Sequence, residues 1–107
     1  MAFLEQVALI VRDYDEAIAF YTGVLGFELV EDSPSLTNDG RPKRWVVVRP
    51  RRGQTAILLA QADGPAQTAT IGEQFAGRVG MFLRVDDFES EYVRLRAAGV
   101  TFLTEPH

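Results

Sequence analysis

Cysteine is absent from this chain, which excludes disulfide scaffolds, thiolate metal sites and cysteine nucleophiles together. Histidine is nearly absent as well. The single one, His107, is the last residue, so no internal imidazole can act as a general base or metal ligand. Long hydrophobic runs are also missing. Stretches such as Trp45 to Val48 are far too short to span a bilayer, and the opening Met1-Ala2-Phe3-Leu4-Glu5 has neither the basic region nor the apolar run of a signal peptide. A cytoplasmic location with no membrane partner is therefore expected. A formal net charge of −4 argues against a nucleic-acid partner. With 107 residues, one domain with a modest core is expected.

What is present is organised. Residues 3–11 alternate and are rich in β-formers, which reads as a strand, and Asp13 offers a side-chain oxygen to the start of a helix. Ala17, Phe20, Tyr21, Val24 and Leu25 then fall on one apolar stripe at helical spacing, predicting a helix over 14–25 that Gly26 terminates. A strand over 27–31, a turn-rich loop over 33–40, and strands over 44–49 and 55–61 joined by Pro50-Arg51-Arg52-Gly53 complete a βαβββ unit, residues 1–62. Residues 63–77 read as a connector with one helical turn near Ile71 to Phe75. A second unit, 78–107, opens with a strand over 79–85 and continues as a helix over 87–98, with Phe88, Tyr92 and Leu95 as its buried stripe. Gly99 ends that helix and a strand over 100–103 follows. If this unit matched the first, two more strands of about twenty residues in all would follow.

The two units echo each other. Val7-Ala8-Leu9-Ile10-Val11-Arg12-Asp13-Tyr14-Asp15-Glu16 is echoed by Gly80-Met81-Phe82-Leu83-Arg84-Val85-Asp86-Asp87-Phe88-Glu89, in a register that sets Val11 against Val85, Asp13 against Asp87, Tyr14 against Phe88 and Gln6 against Gly80. Acidic clusters stand at both helix starts, where the macrodipole favours negative charge, and read as caps.

An apolar strand, Val-x-Asp, a helix with Ala-Ile-x-Phe-Tyr, and Leu-Gly-Phe-Glu, all within Val7 to Glu31, resemble the opening of the vicinal oxygen chelate superfamily, which includes glyoxalase I, extradiol dioxygenases and the fosfomycin- and bleomycin-resistance proteins. Ala97-Ala98-Gly99-Val100-Thr101-Phe102 resembles its second half-module. The resemblance implies an α+β fold of paired βαβββ modules, the second incomplete in this chain, with a curved sheet whose concave side is the binding face. It also implies metal-ligand positions at Gln6, Leu58 and Gly80, with a fourth carboxylate on a last strand that lies beyond these residues.

Those positions offer one weak amide donor, whereas a hard or borderline cation exchanges its hydration shell only for a comparable set of donors. No metal or other cofactor is expected. The concave face then becomes a pocket of alternate strand residues: Gln6, Ala8 and Ile10 inward with Val7, Leu9 and Val11 under the helix, and by the repeat Gly80, Phe82 and Arg84 inward. Arg84 either clamps an anionic group or reaches solvent or Asp86 from the strand end. Trp45 either stacks on a ligand or fills a core or dimer contact. The hairpin that holds Arg41, Lys43, Arg44, Arg49, Arg51 and Arg52 either draws an anion or keeps a sheet edge soluble. The leading expectation is a protein that binds a small, possibly anionic molecule without a catalytic metal. The alternatives are a lyase or dioxygenase of the same fold that uses a divalent metal, and a module whose sheet chiefly makes a homodimer. A homodimer is the expected assembly.

Overall fold

A computed structural model describes residues 1–103. Four strands form one mixed sheet in the order β1-β4-β3-β2: β1 Gln6–Val11, β2 Glu28–Leu36, β3 Pro42–Arg49 and β4 Ala56–Gln61. β1 runs parallel to β4, with Gln6 opposite Ala56 and Val11 opposite Gln61. β3 is antiparallel to both of its neighbours, with Val47 opposite Leu58 and Trp45 opposite Ser33. The first βαβββ unit is therefore present. No helix among the described residues is long and apolar enough to cross a membrane.

The core lies on one face of this sheet, as alternation along the strands requires. Leu9, Val46, Val48, Ile57 and Leu59 meet Tyr14, Ala17 and Phe27, and Val7 and Val11 pack against them. Asp13 caps helix α1, Tyr14–Ile18, by accepting from the Glu16 backbone N–H at 2.8 Å. The helix does not continue regularly to Leu25. Residues Ala19–Val24 form a π-helical turn, with the Leu25 N–H donating to the Phe20 carbonyl at 3.0 Å. The Thr22 hydroxyl donates to the Ile18 carbonyl at 2.7 Å and competes for the acceptor that a regular turn would use. Gly26 then takes the left-handed conformation at φ 77°.

β2 is longer than expected. Ser33, Pro34, Ser35 and Leu36 pair with Trp45, Arg44, Lys43 and Pro42, so the turn residues predicted as loop continue the strand. Pro34 is tolerated because β2 is the outer strand of the sheet. The connector's helix, α2 Gly64–Thr68, also falls earlier than the turn predicted near Ile71, with Pro65 in its first turn, where a missing N–H costs nothing.

The second unit departs most. Helix α3, Phe88–Ala97, forms with Asp87 as its cap, repeating the role of Asp13, but none of its residues is buried. Residues 79–85 and 100–103 are not strands. Their alternation is real, yet a strand exists only through pairing, and among the described residues neither segment has a partner strand. Val79 and Phe82 are consequently 71% and 88% exposed. Arg94 links α3 to the first unit: its Nη1 donates to the Val24 carbonyl at 2.7 Å and its Nη2 to the Leu25 carbonyl at 3.4 Å, at the negative end of the first helix, while Nη2 also pairs with Glu91. His107 lies outside the described residues.

Candidate functional site

The face of the sheet opposite α1 is built by parity. Ala8, Leu58 and Val47 lie side by side across three strands, and Gln6, Ile10, Ala60 and Trp45 share their side by alternation. Gln6 and Ile10 are half-buried and Ala8 is exposed. This floor is small and apolar apart from Gln6 and Trp45. At its β2–β3 end the chain forms an open cavity of about 560 Å³, which Trp45, Leu58, Ala60 and Lys43 line from the sheet and Asn38 and Gln67 from the rims.

Salt bridges frame this cavity. Arg41, in the β2–β3 loop, sets Nη1 3.1 Å from Asp63 Oδ1 and Nη2 2.6 Å from Asp63 Oδ2, and its Nε reaches both Asp39 oxygens at 3.1 Å. Hydrogen bonds from Arg41 hold the Asp63 carboxyl below the usual carboxylate range, and the Thr37 hydroxyl followed by Arg41 does the same for Asp39. Arg44, one residue out of phase with Lys43 and Trp45, turns to the helix side. There it pairs with Asp32 at 2.7 Å and Asp15 at 3.0 Å and lies 5.1 Å from the centre of the Tyr14 ring. The Arg44 backbone N–H donates to the Tyr14 hydroxyl at 3.3 Å. Away from the cavity, burial pushes the phenol of Tyr21, packed on Phe20 and Phe27, up from its ordinary value. Three of the six hairpin cations, Arg41, Arg44 and Arg49, are thus matched by acids of their own chain, Arg49 pairing with Glu28 at 2.8 Å.

The structure brings together only part of the predicted set. Trp45 and Leu58 line the cavity; Gln6, Ala8 and Ile10 continue the same face outside it. Gly80, Phe82 and Arg84, expected on a matching strand, are elsewhere. Gly80 sits against the Phe75 ring, Phe82 is in solvent, and Arg84 borders a separate cleft of about 540 Å³ with Gly26, Arg51 and Arg52. Gln6 and Gly80 therefore do not occupy equivalent strand positions. The sequence places Lys43 among the six cations of the hairpin that either draws an anion or keeps an edge soluble, and its position two residues before Trp45 on one strand puts it on the same face, whereas 22 residues separate Arg41 from Asp63 with no local signal linking them.

A divalent cation does not fit the three family positions, which present one amide, one alkyl chain and one glycine. Among the described residues no three His, Cys, Asp or Glu side chains are grouped to hold one.

The sequence and the fold match known proteins. A sequence profile described as the glyoxalase/bleomycin resistance protein/dioxygenase superfamily matches residues 3–107. The chain belongs to that superfamily. It is 46% identical over 101 residues to an uncharacterised protein of Shewanella frigidimarina, covering 94% of this chain and 73% of the relative. The crystal structure of UcmS2 matches with a TM-score of 0.77 at 32% identity, covering 100% of this chain and 82% of that one. The crystal structure of TnmS3, described as an antibiotic binding protein from Streptomyces sp. CB03234, matches with a TM-score of 0.70 at 27% identity, covering 94% and 74%. Membership identifies the scaffold of this superfamily chain and leaves its chemistry to the site.

Proposed function

We propose that this protein binds a small, flat, partly apolar molecule in the cavity floored by Trp45, Leu58 and Ala60, without a catalytic metal. The observation that carries this reading is the donor set: the positions that would hold a metal in this superfamily are Gln6, Leu58 and Gly80, and they cannot make a Lewis-acid site. The apolar contact is confined to a floor of one indole and small aliphatic side chains, and the walls, which include Thr37, Asn38, Lys43 and Gln67, are polar, so the cavity offers a stacking surface beside hydrogen-bonding groups. The antibiotic-binding neighbour of the same fold supports binding as the role. A homodimer is proposed as the working assembly, since the exposed apolar residues of 79–85 are a surface that a second copy would cover.

Trp45 is the single tryptophan, so its emission reports on the cavity directly. Titration with a panel of planar aromatic compounds, aromatic antibiotics among them, is expected to quench that emission saturably in the presence of a chelator. Absence of a saturable change across the panel, or binding that returns only when a divalent metal is added, overturns the reading.

A further inference from the structure

We infer that Lys43 selects the ligand, so that the cavity takes a planar aromatic carrying one anionic group. This rests on the cavity reading above and adds the charge of its occupant. Lys43 and Trp45 are two residues apart on β3, which sets their Cα atoms about 7 Å apart on the same side of the sheet. Both line the cavity, and both are half-buried. That spacing suits a ring stacked on the indole whose substituent reaches the ammonium.

The other cations at the cavity are committed. Arg41 spends its fork on Asp63 and its Nε on Asp39, and Arg44 is directed to the opposite face by Asp15 and Asp32. Among the described residues Lys43 is the one cation lining the cavity without a carboxylate partner. Its three N–H donors remain available to a ligand acceptor. Asp39 and Asp63 lie on the same rim but are held by Arg41, and with Lys43 included the four charges cancel. Of the two places where the sequence allows an anionic group, Arg84 and the basic hairpin, the cavity favours the hairpin, through the residue that shares it with the indole.

Three probes of one ring system test this: naphthoate, naphthamide and naphthylmethylammonium, each titrated against Trp45 emission. Naphthoate is expected to bind tightest. Lys43→Met, which keeps the chain length, is expected to weaken naphthoate by about tenfold or more, the effect of losing a hydrogen bond to a charged group, and to leave naphthamide unchanged. Lys43→Arg is expected to restore most of the preference. Equal binding of all three, tighter binding of the ammonium, or a naphthoate affinity indifferent to Lys43→Met each overturns the inference while the cavity reading stands. Failure of all three to quench Trp45 overturns both.

Discussion

Arg41 and Asp63 close a two-pronged salt bridge that ties the β2–β3 loop to the exit of β4, on either side of the cavity that Trp45 lines. Both partners are about half exposed, with side-chain exposures of 56% and 48%, so the latch is solvent-screened and its strength depends on conditions.

Loosening this latch is expected to open the cavity. Arg41→Gln, or high salt, should raise the quenching of Trp45 by neutral acrylamide without unfolding the chain. The pH dependence follows from the lowered Asp63 value. The latch is at full strength above the ordinary carboxylate pKa and is lost as pH falls through the lowered value, so quenching should rise only on the acid side. Quenching that is insensitive to Arg41→Gln would show that the loop is held by other contacts.

The two faces of β4 should respond differently to truncation. Leu59 has no exposed surface, so Leu59→Ala is expected to cost about 2–5 kcal/mol in denaturant unfolding. Leu58, half-buried on the open face, should lose less stability on the same change and more ligand affinity. Equal losses would contradict the register that sets Leu58 beside Ala8 and Val47.

Gln74 guards the outer edge of β1. Its side-chain oxygen accepts from the Ile10 N–H at 3.2 Å and its side-chain nitrogen donates to the Ile10 carbonyl, the pair of bonds that a neighbouring strand would make. Gln74→Leu is expected to destabilise by about 1–2 kcal/mol and to increase self-association in sedimentation velocity, because it bares a strand edge. An unchanged sedimentation profile and unchanged stability would remove this role.

Arg52 lies at φ 66° in the turn where the Gly53 N–H donates to the Pro50 carbonyl at 2.8 Å. A left-handed non-glycine residue costs about 1–2 kcal/mol, part of which glycine's greater freedom in the unfolded chain offsets. Arg52→Gly should therefore raise the Tm slightly, by up to about 1 kcal/mol in stability. A lowered Tm would indicate that the Arg52 side chain makes a stabilising contact.

Local chemistry was legible along the chain. Asp13 and Asp87 cap two helices at equivalent places because a short carboxylate before an apolar stripe satisfies the same orphan N–H groups in either unit. The parity of β1, with Leu9 under the helix and Ala8 on the open face, follows from the two-residue period of a strand and needs no partner to be known. Gly26 and Gly99 stop their helices as left-handed residues for reasons internal to the turn.

Everything that depends on a distant neighbour was decided only by the tertiary structure. Ser33 to Leu36 look like a loop in isolation and become strand because β3 lies alongside to take their hydrogen bonds. Residues 79–85 repeat the pattern of β1 but have no such neighbour among the described residues, so Phe82 and Arg84 leave the face that alternation had assigned to them. The cavity obeys the same rule. Trp45 and Lys43 share a face by local geometry, but the pairing of Arg41 with Asp63 leaves the ammonium of Lys43 as the available charge, and a contact across 22 residues arises from how the chain packs, since no local spacing encodes it.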